Sequence, residues 1–168
     1  MSGSVFVVGN ATTVSRENYA VTLLHRSETA VGNISTGEDD LHSFSVPAST
    51  LAAAGDRLIY DGFITFAANN NNKRLRVRWG TDLVLDTGIV TYNTQNAWIH
   101  VEVIRTGATT QLIPNALYLT GGTANSLSAT SGTQTLSGAI TFKVTSDSTA
   151  TDDIRQLHSA MYFVTPRD

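Results

Sequence analysis

Apolar and polar residues alternate with a period of two along most of this chain, and clusters of Gly and Asn interrupt the alternation. Successive side chains of a β-strand point to opposite faces of a sheet, so this period predicts strands with one buried face. The clearest example alternates three apolar side chains with three arginines: Leu75, Val77 and Trp79 with Arg74, Arg76 and Arg78. No segment has the spacing of a long amphipathic helix. The pattern therefore predicts an all-β chain.

About eight segments carry this alternation, and their regular spacing is typical of a sandwich or a barrel. They cover residues 42–46, 58–66, 74–79, 83–85, 98–105, 111–119, 139–145 and 156–164. The alternation of strands with helices that marks parallel α/β folds does not occur. We predict an antiparallel β-sandwich that is jelly-roll-like, and a chain of 168 residues is long enough to bury one such core.

Three regions stand apart from the strand pattern. Residues 1–40 contain two short apolar pieces separated by polar residues, and we expect an N-terminal arm or peripheral hairpin there, attached to a sandwich domain at residues 41–168. Residues 120–138 are almost entirely small and polar, which is typical of a long surface loop or an edge strand. The four consecutive asparagines Asn69–Asn72 predict a hairpin loop between two strands.

The composition disfavours several classes of function. Charged residues make up 15% of the chain and its net charge is −3, so the chain has no general attraction for nucleic acid or for an anionic membrane surface. Trp79 and Trp98 are expected on or near the apolar faces and do not alternate with the basic side chains, which also disfavours nucleic-acid binding. The absence of cysteine excludes thiolate metal sites and cysteine nucleophiles. No apolar run approaches the ~18 residues of a membrane span.

Sequence motifs for catalysis are also missing. The chain contains no nucleophile elbow, P-loop, dinucleotide-binding fingerprint or HExxH motif, so we predict a non-enzymatic protein without a cofactor. His100 and Glu102 share one strand face and are spaced to hold a cation or orient a base, but a solvent-facing polar pair is the simpler interpretation. A hydrolase would need Asp61, Asp86 and Glu102 together in one cleft.

Residues 146–153, SDSTATDD, form the best candidate for a calcium loop. They offer the three carboxylates Asp147, Asp152 and Asp153 together with hydroxyls and carbonyls, which are the ligands that calcium prefers. The spacing does not match the EF-hand pattern, and a solvated turn is the simpler interpretation.

The arginine ladder, Arg74, Arg76 and Arg78, is the most unusual feature of the sequence. Three like charges on one strand face repel each other unless neighbouring strands bring carboxylates, and Asp61 and Glu102 are the candidates for that role. The ladder either forms such cross-strand ion pairs or grips an acidic partner surface through bidentate contacts. These three arginines are therefore the candidate partner-binding residues.

Several segments between Leu41 and Val164 combine turns and core positions in a recognisable order. They are PASTLAAAGDRL, GFITFAANNNNKRLRVRWG, LDTGIVT, Trp98, IRTGATTQ and LSGAITFKVTSDSTATDDI. Together they resemble a group of small β-sandwich structural proteins of tailed bacteriophages. The resemblance includes no catalytic signature, and residues 1–40 lie outside it. It implies a jelly-roll virion protein, commonly a trimer, that decorates or cements capsids or serves in tail and receptor-binding structures.

From this resemblance we predict a capsid decoration, or cement, protein. As a homotrimer it would bind the major capsid protein at the capsid surface, after synthesis in the host bacterial cytoplasm, and many weak symmetric contacts would add up to tight binding. The alternative is a receptor-binding or tail-fibre tip protein that binds a host-surface glycan. Its contacts would come from the 120–138 region and from exposed aromatic residues such as Tyr92 or Tyr118.

Overall fold

The computed structural model describes residues 18–34, 36–120 and 126–167, and all regular elements in these ranges are β-strands. They are β1 (Asn18–Ser27), β2 (Val31–Gly32), β3 (Gly37–Val46), β4 (Arg57–Phe66), β5 (Lys73–Trp79), β6 (Asp82–Asp86), β7 (Asn96–Arg105), β8 (Gln111–Thr120), β9 (Ser126–Gly132), β10 (Ile140–Ser148) and β11 (Ile154–Arg167). The all-β prediction is confirmed. The strands that the alternation did not reveal are β1, β2 and β9.

The strands form two antiparallel sheets that pack as a sandwich. The larger sheet has the order β1-β11-β4-β7-β8-β9, with the short β2 also paired to β11, and the smaller sheet has the order β3-β10-β5-β6. The chain crosses repeatedly between the sheets, since β3, β5 and β10 belong to the smaller sheet and β4, β7 and β11 to the larger. The predicted antiparallel sandwich is confirmed, and the pair β8 and β9 extends the larger sheet.

The N-terminal region that was expected to be an arm contributes to both sheets. Strand β1 is an edge strand of the larger sheet and pairs with β11. Strand β3 begins at Gly37, so the expected boundary at residue 40 falls inside a strand of the smaller sheet. Residues 1–17 and residue 35 lie outside the described residues.

The small and polar region at 120–138 contains β9. This strand pairs with β8 and forms the second edge of the larger sheet, so the edge strand is the alternative that the structure supports for residues 126–132. Residues 121–125 lie outside the described residues.

The core lies between the sheets and is built from the apolar half of each alternating strand. Its members on three central strands are Leu58, Tyr60, Ile64 and Phe66 on β4, Leu75, Val77 and Trp79 on β5, and Ile99, Val101 and Val103 on β7. All of these side chains are buried, which confirms the inward faces predicted from the alternation. The complementary faces of the same strands must therefore point away from the core.

Gly62 interrupts the inward face of β4 because the ring of Tyr60 covers its backbone. A Cβ atom at Gly62 would lie 2.6 Å from Tyr60 Oη. The Tyr60 hydroxyl donates a hydrogen bond to Gln156 Oε1 at 2.8 Å, so the buried oxygen is satisfied. The neighbours of Gly62, Asp61 and Phe63, lie on the outer side of β4.

The asparagine run Asn69–Asn72 connects β4 of the larger sheet to β5 of the smaller one, so the prediction of a hairpin loop is wrong. Asn69 and Asn71 donate side-chain hydrogen bonds to Asp153 at 2.6 and 2.9 Å, and the buried Lys73 ammonium donates to Asn69 Oδ1 at 2.7 Å. Connections within and between sheets need the same polar, turn-forming residues, and composition does not distinguish them.

Candidate functional site

Three aromatic side chains lie next to one another on the outer face of the larger sheet. Phe63 on β4 pairs with Trp98 on β7, and Trp98 pairs with Tyr118 on β8. Paired residues of neighbouring strands share a face and lie about 5 Å apart, so the rings form a continuous row, here called the aromatic row. The exposed fractions of the three residues are 36%, 49% and 45% in that order.

Trp98 is held between two neighbouring rings. Its centroid lies 5.9 Å from that of Tyr118 with the planes inclined by 39°, and 6.3 Å from that of His100 at 71°. Both separations lie in the range of favourable contacts between aromatic rings, so the indole packs against both neighbours. Of the two tryptophans expected on or near apolar faces, Trp79 is buried in the core, whereas Trp98 lies on the outer face of β7, because its neighbours Ala97 and Ile99 occupy the core side.

A shallow pocket of about 410 Å³ opens beside the aromatic row. Its lining consists of Asp61, Gly62, Phe63, Trp98, Tyr118, Leu119, Thr120 and His158. His158 reaches the pocket because a bulge in β11 shifts the register after Gln156 and sets His158 opposite Phe63. The pocket therefore combines aromatic rings with one carboxylate, the hydroxyls of Tyr118 and Thr120, and one imidazole.

A group of charged and titratable side chains, here called the acid–histidine cluster, lies beside the row on the same face: Asp61, His100 and Glu102. His100 Nδ1 forms a hydrogen bond with Asp61 Oδ1 at 2.8 Å, and its Nε2 lies 3.5 Å from Glu102 Oε1. The hydrogen bond to Asp61 raises the pKa of His100, and the charges of both carboxylates act in the same direction against partial burial. His100 and Glu102 share the outer face of β7, as predicted.

Further apolar side chains are exposed on this outer face. Val21 and Leu23 lie on the edge strand β1, and Leu112 and Leu127 lie on β8 and β9. The strand registers put all four on the same side of the sheet as the aromatic row. Exposed apolar side chains gathered on one face are typical of a contact surface.

The outer face of the smaller sheet carries the arginine ladder, and its charges are paired within the chain. Arg76 is only 7% exposed. Its Nη1 lies 2.9 Å from Glu38 Oε2, without the alignment of a hydrogen bond, and its Nη2 lies 3.8 Å from Asp147 Oδ2. Arg78 Nε donates to Glu38 Oε1 at 3.3 Å. Partial burial acts to raise the pKa of Glu38, but hydrogen bonds from Thr145 and Arg78 and the charge of Arg76 lower it.

Arg74 pairs with Asp86 on the neighbouring strand β6. Its Nε donates to Asp86 Oδ1 at 2.8 Å, and Nη2 pairs with the second carboxylate oxygen in a bidentate arrangement. The hydrogen bonds from Arg74 lower the pKa of Asp86 to about 2. The arginine ladder thus forms cross-strand ion pairs, which is one of its two predicted interpretations. Binding of an acidic partner surface by these arginines stays a prediction.

Asp61 and Glu102 are not the partners of the ladder, so that expectation is wrong. Both lie on the outer face of the larger sheet, where Asp61 and Glu102 flank His100. Strand alternation predicted that carboxylates were needed, but their identity depends on which strands are neighbours. The smaller sheet supplies them from β3, β6 and β10.

The acids of the hydrolase hypothesis do not meet in one cleft. Asp61 and Glu102 lie near each other across His100, whereas Asp86 belongs to the smaller sheet and pairs with Arg74. This separation removes the three-carboxylate arrangement that the hypothesis required.

The carboxylates of the calcium hypothesis also separate. Asp153 is buried and accepts hydrogen bonds from Ser148, Asn69 and Asn71. Asp147 instead faces Arg76, and Asp152 lies 3.7 Å from Arg155 Nε. Over the described ranges, no group of three or more His, Asp or Glu side chains is arranged to hold a metal ion. Nor is any helix there long and apolar enough to cross a membrane.

Of the two tyrosines proposed for glycan contact, Tyr118 belongs to the aromatic row. Tyr92 instead packs its ring 5.0 Å from that of Phe66 at the margin of the core. Phe63 was recognised only as an outward residue of its strand. The row was missed because the neighbour relation of β4, β7 and β8 is not visible in local sequence.

Comparisons with known proteins assign the chain to no family. No protein-family model matches it, and no curated protein matches its sequence. Among solved structures, it is similar to the CBM2 module of the evolved Dit of Lactobacillus casei BL23 phage J-1. The two share 12% identity with a TM-score of 0.35, over 73% of this chain and 68% of that one.

Proposed function

We propose that this chain is a non-enzymatic structural protein of a phage particle and that the aromatic row binds a saccharide of the host surface. The observation that carries the proposal is the row itself, in which Phe63, Trp98 and Tyr118 lie outwards on three neighbouring strands. Packing of the fold does not account for them, because the core occupies the opposite side of these strands. Exposed aromatic area is unfavourable in water unless a ligand covers it.

The surface has the two properties that a sugar requires. A pyranose ring presents C–H groups that pack on an aromatic face, and its hydroxyls need hydrogen-bonding groups at the edge of that face. The pocket provides Asp61, Thr120 and His158 next to the rings. From Phe63 to Tyr118 the row spans two strand spacings, about 10 Å, which suits an oligosaccharide better than a single sugar.

The assignment to a phage particle rests on the resemblance of residues 41–164 to small β-sandwich virion proteins. Particles carry such proteins in several copies, so individually weak sugar sites combine into tight attachment. In this setting the chain acts by binding, and no step of turnover is involved.

The test is a saccharide-binding screen followed by calorimetric titration of the best ligand. Trp98→Ala is expected to weaken binding at least about fivefold, because a central aromatic contact is typically worth more than about 1 kcal/mol. The matched control is Ile89→Ala, which removes an exposed apolar side chain next to Arg74 and Asp147, away from the row. Equal binding by Trp98→Ala and the parent protein, or no binding to any saccharide, would refute the proposal.

The apolar residues outside the row favour a second candidate, a homotrimeric capsid decoration protein. Val21 and Leu23 lie on β1, two strands away from β4, and are exposed at the sheet edge. Apolar side chains at this position suit contact with another protein, such as the major capsid protein or a second copy of this chain.

This candidate is tested by incubating the protein with expanded phage heads that lack it, followed by sedimentation and cryo-electron microscopy. Saturable binding that is lost in Leu23→Glu and kept in Trp98→Ala would support capsid docking through β1. Arg78→Glu in the same assay tests the predicted partner-binding role of the ladder, since Arg78 is more exposed than Arg76. Absence of binding to heads would exclude the decoration role.

A further inference from the structure

We infer that the saccharide bound at the aromatic row carries a free amine, as a glucosamine-containing polymer does. The inference rests on the proposed function and names the substrate class of the same site. It follows from the charge that the pocket presents beside its aromatic rings.

Asp61 is the carboxylate at the pocket. Its Oδ1 is engaged by His100 Nδ1 at 2.8 Å, which orients the group, while its Oδ2 has no hydrogen-bond partner among the described residues. A carboxylate held by one oxygen and open at the other is suited to accept a hydrogen bond from a ligand ammonium.

The pocket lining holds no fixed positive charge, and His100 is shared by the two carboxylates Asp61 and Glu102, so the acid–histidine cluster stays net negative even when His100 is protonated. None of the pocket's lining residues in the described chain is Lys or Arg. The guanidinium groups of this face lie outside the pocket lining and next to other carboxylates: Arg57 lies 3.9 Å from Glu102, Arg155 Nε lies 3.7 Å from Asp152, and Arg26 pairs with Glu28. The other titratable groups that the registers place on this face are His100, between the two carboxylates, His158 in the pocket lining, Tyr118 in the aromatic row and Tyr162 on β11.

The aromatic rings favour the same ligand charge. The face of an aromatic ring is negative, so the rings of Phe63, Trp98 and Tyr118 attract a cation that the carboxylate holds beside them. An acidic sugar would instead place its carboxylate next to Asp61, where like charges repel. Carboxylate and rings together therefore select an amino sugar over its neutral and acidic counterparts.

The experiment compares three tetrasaccharide probes by calorimetry at pH 6.5, where an amino-sugar amine is largely charged: glucosamine, N-acetylglucosamine and galacturonate. We expect the glucosamine tetramer to bind about fivefold or more tightly than its acetylated form, since an exposed ion pair and a cation–π contact each contribute modestly. High salt is expected to reduce this preference, because ionic screening weakens the charged contact and leaves ring stacking in place.

The diagnostic variant is Asp61→Asn, which removes the charge and keeps an oxygen for His100. It should abolish the preference for the amine while leaving N-acetylglucosamine binding unchanged. Asp40→Asn, which removes the same charge from the Asp40–Lys143 pair on the smaller sheet, is the matched control and should keep the preference.

The outcomes separate the two proposals. Equal, Trp98-dependent binding of amine and acetylated probes, or tightest binding of galacturonate, overturns the amine inference and leaves saccharide binding intact. A preference for the amine that persists in Asp61→Asn also overturns it. Failure of all three probes, together with a negative saccharide screen, removes the proposed function and the inference with it.

Discussion

The two outer faces of the sandwich arise from the same alternating pattern but differ in how their side chains are satisfied. On the smaller sheet, Arg74, Arg76 and Arg78 all pair with carboxylates from neighbouring strands. On the larger sheet, aromatic and aliphatic side chains point outwards together. The comparison teaches that a row of charges on a strand is a weaker indication of a binding surface than an outward row of aromatic rings. Charges find partners within the fold, whereas exposed rings keep their apolar area available.

The largest effect on stability is expected from removing Arg76, the most buried arginine on the outer face of the smaller sheet. Arg76→Ala removes the guanidinium that neutralises both Glu38 and Asp147, so the two carboxylates lose their shared partner. We expect a loss of about 2 kcal/mol in the free energy of unfolding, below the cost of breaking a fully buried pair because both carboxylates are partly exposed. Urea denaturation measures this.

Arg78→Ala is the matched control for this variant, because Arg78 lies on the same strand face and is more exposed. Its expected cost is under about 1 kcal/mol. If the two variants are equally stable, the ion pairs of the smaller sheet contribute no more than solvated surface charges.

A second prediction concerns the ion pair of Asp86 on the smaller sheet and the pH dependence of its contribution to stability. The pKa of Asp86 is about 2 in the folded chain and 3.8 without its partner, so the unfolded state binds its proton first as the pH falls. The stabilisation is fully present above pH 3.8 and is lost as the pH falls through 2, by at most about 2 kcal/mol. Unfolding curves at a series of acidic pH values should therefore converge for the parent protein and Asp86→Asn. A constant difference between them down to pH 2 would contradict this assignment.

The smallest effect has the opposite sign and belongs to the larger sheet. The hydrogen bond to Asp61 raises the pKa of His100 above 6.5, so the folded state holds this proton more tightly than the unfolded state. Its stabilisation is present below pH 6.5 and is lost as the pH rises through the folded value, by under about 1 kcal/mol for this partly exposed group. In His100→Asn, the thermal unfolding temperature should not show this decline between neutral and mildly alkaline pH. A decline that persists in His100→Asn would assign it to another group.

Local sequence was sufficient for features that depend on one strand at a time. The alternation on β4, β5 and β7 identified the buried residues, because a side chain on a two-sheet sandwich has only an inward or an outward direction. The need for carboxylates opposite Arg74, Arg76 and Arg78 followed from the repulsion of like charges. The small and polar composition of residues 120–138 predicted a surface loop or an edge strand, and the structure places the edge strand β9 at residues 126–132.

Features that depend on two or more strands were wrong or missed. Asn69–Asn72 was expected within a hairpin but links the two sheets, and Asp61 and Glu102 were expected beside the ladder but lie on the opposite face. The aromatic row needs β4, β7 and β8 to be neighbours in the register that aligns Phe63, Trp98 and Tyr118. A shift of that register by one residue would turn Trp98 to the other side of its partners.

The sequence by itself determined the all-β class, the inward or outward direction of the alternating side chains on the central strands, and the absence of cysteine and of known catalytic sequence motifs. The tertiary structure alone decided which strands lie side by side, and with that the aromatic row, the acid–histidine cluster and the partners of the arginines. The physical reason is that alternation is a property of a single extended backbone. Strand order is set instead by the packing of two whole sheets, in which contacts join residues far apart in the chain.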